Sequence, residues 1–301
     1  MKVYLQPDQY SRGIVRVADA LMQYAPRDVE LVQDPYDADF EIIHVVGRHD
    51  GNARRIQLLK RKKKPFAMIQ YVLRSAIRPD TRDWLEMWRD AKVVWSYYDL
   101  PALCREDGIE DYCAEGDEGT ELFNFYYAPL GVDSTVFKQT QYQEKRFIIG
   151  ACAQHALAEG ARECAIAAKK VKRPMFFLGH ELRRGPDIIC KQNLSDEEVA
   201  NYWSQCKYVS GLRRIEGFEL PVIEAALCGA RPIVFDRPHY RKWFNEFAIF
   251  IPEGPREVVL EELTKIFSGF YGEINENDKM LIRDRFNWEP IVTNFWKKVY
   301  E

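Results

Sequence analysis

The chain has 301 residues, 47% hydrophobic and 30% charged, which supplies cores for one large or two ordinary domains and excludes wholesale disorder. A net charge of -3 excludes global attraction to nucleic acid, leaving only a local basic patch for such a partner. The seven cysteines include no Cys-x-x-Cys pair, so zinc-ligand spacing is absent and reduced thiols of a cytosolic protein are expected.

Lys2–Leu5 reads as a strand rather than the start of a signal peptide, and no apolar run reaches the roughly 18 residues of a membrane span. A polar loop follows at 6–13, then helical spacing over Ile14–Tyr24. Glu41–Val46 and Phe66–Leu73 are buried strands, with a basic helix, Asn52–Lys64, between them. Val93–Ser96 predicts a further strand and Leu100–Glu106 a helix. The acidic, glycine-containing stretch 106–121 reads as a surface loop, and Phe125–Ala128 as a short strand. Short apolar runs alternating with helical segments predict parallel α/β architecture.

A second set begins near Arg146. Phe147–Ala151, Met175–Leu178 and Ile188–Cys190 read as strands, with a helix at Glu159–Lys170. Ser195 with Glu198 makes a capping box that starts the helix Asp196–Cys206. Val209–Leu212, Pro232–Phe235 and Phe247–Ile251 are further strands; Val258–Phe267 and Glu289–Tyr300 are helices. The expected domains are 1–140, joined by the C-terminal helix 287–301, and 141–286.

The segment Glu216–Val234 carries the chemistry. Pro221 suits a first helical turn, where its missing N–H costs nothing, and Gly229 suits the C-terminal cap. Residues 217–220 therefore form a tight loop feeding a helix N-terminus, whose N–H groups and positive dipole end suit phosphates. Glu216 precedes that helix and Glu224 sits about one turn inside it, so both can reach one ligand.

This string closely resembles the signature of the family 4 retaining glycosyltransferases, E-G-F-G-L-P-x-x-E-A-x-A-x-G-x-P-V. Tyr127–Phe137 resembles that family's P-N-G-V-D-x-x-x-F element, with Leu130 in place of Asn. Leu194–Glu198 and the terminal Phe286–Tyr300 match its L-S-D-E-E and F-x-W-E elements in the expected order. The resemblance is specific over 125–300 and architectural before that. It implies a GT-B fold, two Rossmann-like α/β domains facing each other across a cleft. The first domain would take the acceptor and the second the donor. The implied activity is retaining transfer of a hexose from a nucleotide-diphosphate sugar, UDP-glucose by default. No metal or other cofactor is implied, because amide dipoles and cationic side chains can stabilise a leaving diphosphate.

By the same resemblance Glu216 contacts the donor sugar, the amides of Phe218, Glu219 and Leu220 face the diphosphate, and Glu224 holds the ribose. Glu216 and His155 are the candidate catalytic residues; no nucleophile is nominated. Glu219 stands where the family often has glycine, and Glu159 where it has a phosphate-binding lysine. Arg213 and Arg214, ahead of Glu216, are the candidate replacements, with Arg183 and Arg184 weaker ones. Arg12 and Gly13 stand in the first loop, where the family has a glycine pair. His49, Gln70 and Tyr71 are acceptor-side candidates, whereas His44 reads as a core residue.

The run Arg54–Lys64 has seven basic residues and no acidic one. A solvated helix face, an anionic membrane surface and DNA all remain open for it. The length is compact for the family and resembles its phage-type members, so a modified DNA base stands beside glycans and lipids as acceptor. The expected location is cytoplasmic, with the membrane periphery and an infected host cell open. A catalytically silent GT-B-like module that binds a nucleotide or partner is the competing reading.

Overall fold

A computed structural model describes residues 1–5, 12–45, 52–71, 81–106, 124–139, 144–153, 160–179, 182, 185–214, 218–269 and 271–301. The chain divides into two compact units: Met1–Leu130 with Trp288–Glu301, and Gly131–Asn287. The first crossing thus falls at 130–131, ten residues before the expected boundary at 140.

In unit 1 the strands are β1 (Lys2–Leu5), β2 (Glu30–Val32), β3 (Phe40–Val45), β4 (Phe66–Gln70), β5 (Val93–Ser96) and β6 (Phe125–Tyr127). They form one sheet in the order β2-β1-β3-β4-β5-β6, every pair parallel. Its helices are α1 (Arg12–Gln23), α2 (Asn52–Lys62), α3 (Thr81–Asp90), α4 (Leu100–Glu106) and α11 (Trp288–Tyr300). Strands β3, β4 and β5 are buried along their whole length, as a sheet covered on both faces requires. On one face Trp84, Leu85 and Trp88 of α3 and Ile56 and Leu59 of α2 pack against Ile43, Met68 and Val94. Helix α11 is tied in by aromatic contact and hydrogen bonds. Phe295 lies 5.3 Å from the ring of Trp95. The Trp296 indole donates to the Leu21 carbonyl at 3.2 Å, and the Tyr126 hydroxyl to that of Ile291 at 2.7 Å.

In unit 2 the strands are β7 (Phe147–Cys152), β8 (Met175–Leu178), β9 (Ile188–Lys191), β10 (Cys206–Gly211), β11 (Arg231–Phe235) and β12 (Ile249–Ile251). Their order is β12-β11-β10-β7-β8-β9, again all parallel. Numbered within the unit this is 6-5-4-1-2-3, the Rossmann order, with its switch point between β7 and β10. The helices are α5 (Ala161–Lys170), α6 (Asp196–Ser204), α7 (Leu220–Leu227), α8 (Pro238–Phe244), α9 (Arg256–Ser268) and α10 (Glu276–Arg285). The chain's entry and exit pair with each other, since the Val132 amide donates to the Phe286 carbonyl at 2.8 Å.

The capping box at Ser195 forms as expected, with Glu198 N–H on Ser195 Oγ at 3.2 Å and Ser195 N–H on Glu198 Oε2 at 2.7 Å. Helix α6 nevertheless stops at Ser204 rather than Cys206. Cys206 already pairs with Phe147 in β10, where burial of the strand outweighs a helical pattern that no glycine or proline interrupts. Strand β2 and helices α3, α8 and α10 were not anticipated.

Candidate functional site

Ligands of open parallel sheets bind beyond the carboxyl ends of the strands at the switch point, here the ends of β7 and β10. Two glycines let the chain crowd there. A Cβ on Gly211 would come within 2.7 Å of Val222, so α7 lies tight against β10. Gly160, the residue before α5, has φ 68° and passes so close to Leu212 that a Cβ would sit 2.6 Å from the Leu212 Cβ.

Helix α7 is apolar and buried on nearly every side, because it is held between the sheet and neighbouring helices. Pro221 stands in its first turn, as its fixed φ favours. Gly229 ends the helix at φ 89°, its N–H on the Ala226 carbonyl and that of Ala230 on Ala225, both at 2.9 Å. The residue at the N-cap is Glu219, and its carbonyl accepts from Val222 N–H at 3.0 Å.

Side chains moor the loop before α7. Glu219 is only 1% exposed: Oε2 lies 2.9 Å from Arg213 Nε, and Oε1 accepts from the Tyr240 hydroxyl at 3.1 Å. Arg213 also donates from Nη2 to the Cys152 carbonyl at 3.0 Å. One guanidinium thus joins the end of β7 to the cap of α7 across the switch point. Phe218 is buried beside Phe244 and Phe286, with ring centres 5.5 and 5.9 Å away. Leu220 and Glu224 are buried as well. The Arg214 guanidinium lies 5.0 Å above the Phe235 ring, and its carbonyl accepts from Arg237 Nη2 at 3.0 Å.

Arg237 also grips Glu253 with two hydrogen bonds of 2.7 and 2.8 Å, linking the ends of β10, β11 and β12. Sequence reasoning missed it and Tyr240. The Arg-Pro pair at 237–238, just past a strand and opening α8, was the available signal for the first. Burial makes the nearby thiols inert: those of Cys164 and Cys228 are pushed up to about 12, and that of Cys206 is raised as well.

Glu216, Gly217, His155, Glu159, His49, Arg183, Arg184 and the side chain of Arg12 lie outside the described residues. Gly13 is half-buried in the first turn of α1. In unit 1, Gln70 is fully buried and its side-chain oxygen accepts from the Trp88 indole at 3.1 Å, so that side chain faces the core. Tyr71, 7% exposed, places its hydroxyl 2.8 Å from Nδ1 of His44, and its carbonyl accepts from Tyr97. His44 is a core residue, held neutral by burial that lowers its pKa to about 4.

The basic run is largely engaged within unit 1. Arg55 makes two hydrogen bonds of 2.9 and 2.6 Å to the buried carboxylate of Glu41, and Lys64 lies 3.2 Å from the same group. Lys60 pairs with Asp90 at 2.5 Å, and Lys62 lies 4.5 Å above the Tyr36 ring. Arg54, Arg61 and Lys63 are exposed. Among the described residues no group of three His, Cys, Asp or Glu side chains is placed to hold a metal ion, and no helix is long and apolar enough to cross a membrane.

No protein-family model matches the sequence, and no curated protein is detectably related to it in sequence. Solved structures are similar in fold. Anabaena HepE in complex with UDP aligns with TM-score 0.70 and 11% identity over 99% of both chains. The same protein with UDP-glucose gives 0.67 and 12% over the same shares. AviGT4, a glycosyltransferase involved in avilamycin A biosynthesis, gives 0.60 and 13% over 100% of this chain and 97% of its own. TarM aligns at 0.61 and 12% over 87% of this chain, which spans just over half, 55%, of TarM's length. With its two six-stranded parallel units, the chain has the GT-B fold that these glycosyltransferase structures carry.

Proposed function

We propose that this chain is a glycosyltransferase that takes a sugar from a nucleotide-diphosphate donor, with UDP-glucose the first donor to try. The observation that carries this reading is the moored N-terminus of α7 at the switch point of a Rossmann-ordered sheet. Solved structures of similar fold that hold UDP and UDP-glucose support it.

In this reading the backbone N–H groups of residues 218–220 and the positive end of α7 take the diphosphate, whose charge grows as it leaves. Glu224 holds the ribose and Glu216 the sugar hydroxyls, with His155 lining the phosphates. Transfer is of a hexose, retains anomeric configuration and needs no metal. The acceptor, a glycan, a lipid or a modified DNA base, meets unit 1 near His49 and Tyr71. A silent nucleotide-binding module is the second reading, favoured by the way Glu219 compensates the charge of Arg213.

Incubation with a panel of nucleotide sugars tests the proposal. Slow donor hydrolysis that survives EDTA and is crippled in Glu216→Ala and Glu224→Ala is expected. A lost charge-assisted hydrogen bond would account for about 1.5–3 kcal/mol in each variant. Binding without turnover selects the silent module, and neither binding nor turnover overturns both readings.

A further inference from the structure

At the amino ends of the strands of unit 2, the surface forms an open, shallow cavity of about 660 Å³ lined by Glu144, Lys145, Arg146, Arg173 and Gln205. The first three residues run into β7, Arg173 stands just before β8 and Gln205 just before β10. The cavity therefore lies at the opposite ends of the strands from the α7 N-terminus, and nothing in the proposed donor chemistry uses it.

Three cations and one carboxylate line it among the described residues. Among the described residues neither the Arg146 nor the Arg173 guanidinium has a carboxylate within ion-pairing distance, and both residues are exposed. Arg146 is oriented by the buried Phe147, its guanidinium 5.3 Å above the ring. A guanidinium stacked in this way keeps its edge N–H groups available for paired bonds to a phosphate. Lys145 closes the floor, its Nζ donating at 3.0 Å to the Ser204 carbonyl at the end of α6 and at 3.0 Å to that of Gly229 beyond α7. Burial lowers the Lys145 pKa, so an anion arriving beside it would favour its charged form.

We propose that this cavity binds a sugar phosphate or phosphorylated polyol. Arg146 and Arg173 take the phosphate; the Glu144 carboxylate and the Gln205 carboxamide take hydroxyls. Its lining is mostly polar and charged, and the described residues that form it include no aromatic ring on which a nucleobase would stack.

The test uses the full chain with ribose 5-phosphate as probe and ribose as control. Calorimetry should detect the phosphate ester but not ribose. The double variant Arg146→Gln/Arg173→Gln should bind at least tenfold more weakly, with an unchanged thermal midpoint because both side chains are exposed. Hydrogen exchange in the wild type should slow at 144–148 and 173–175. Three outcomes overturn the proposal: equal affinity in the double variant, protection confined to the start of α7, or no binding by about 1 mM.

Discussion

Arg213 and Glu219 meet at 2.9 Å with their side chains 11% and 1% exposed, so an ion pair closes the loop that leads into α7. Breaking one side of a buried pair strands the other charge, which typically costs about 3–5 kcal/mol. Arg213→Gln should lower unfolding stability by that order, and Glu219→Gln likewise. Replacing both with Met and Leu should recover much of the loss. Urea denaturation of the two singles and the double measures it, and simple additivity of the two losses would show that the pair is not coupled.

The same arginine follows β10 and reaches the Cys152 carbonyl at the end of β7, beside the proposed diphosphate site. If it serves the donor, Arg213→Lys, which keeps charge but loses the planar fork, should weaken UDP binding at least tenfold, about 1.4 kcal/mol. Uridine binding should hardly change. Calorimetry with both ligands decides: equal losses mean that the loop has collapsed, and no loss removes Arg213 from the diphosphate site.

Burial holds the His44 pKa at about 4, below its ordinary 6.5, so the folded state binds fewer protons than the unfolded chain between those values. Its contribution to stability is complete above pH 6.5 and declines as pH falls toward 4. At about 1.4 kcal/mol per pKa unit the whole effect is on the order of 3 kcal/mol. His44→Gln retains a polar partner for Tyr71 without titrating there. Urea unfolding at a series of pH values should show a shallower acid decline in that variant, and parallel curves would refute the assignment.

Gly160 and Gly185 make a matched pair. A Cβ on the first meets Leu212 at 2.6 Å and the backbone is left-handed there, whereas a Cβ on the second meets none of the described residues within 4 Å. Gly160→Ala should cost about 2–4 kcal/mol, from backbone strain plus overpacking. Gly185→Ala should stay within about 0.5 kcal/mol. Thermal melts of both variants check this, and a harmless Gly160→Ala would mean that the switch region yields easily.

The basic run separates into two classes. Arg55→Gln should destabilise unit 1 by on the order of 3 kcal/mol, because the Glu41 carboxylate is buried and among the described residues keeps only Lys64 as a cation. Joint replacement of Arg54, Arg61 and Lys63 by Gln should leave stability unchanged. If the run engages DNA or anionic vesicles, that triple variant should lose salt-sensitive binding to one of them. Undiminished binding to both would clear the run of any role in contact.

What the sequence disclosed followed how local each signal was. Ser195 and Glu198 stand three residues apart, and Gly229 stops a helix through its own backbone, so both could be read directly. The α7 segment was legible because proline, glycine and an apolar run coincide in one string. Helix α10 opens with the same kind of box at Asn275 and Asp278, but its polar sequence gave no apolar period to follow. The partnership of Arg213 with Glu219 depends on Tyr240, 21 residues further on, and on the Cys152 carbonyl, which no spacing rule connects. Gln70 stands at the end of β4, yet the direction of its side chain is set by Trp88 on α3, 18 residues further on.

Unit 1 is discontinuous, and this matters during synthesis. Helix α11, which presents Phe295 to Trp95 and Trp296 to the Leu21 carbonyl, follows all of unit 2 in the chain. On a ribosome adding roughly 10 residues per second, unit 1 would wait on the order of ten seconds for its closing helix. Unit 2 is continuous and can finish first. The first half to be made is therefore the last to be completed, and through that interval the Trp95 ring lacks the cover that Phe295 later gives it.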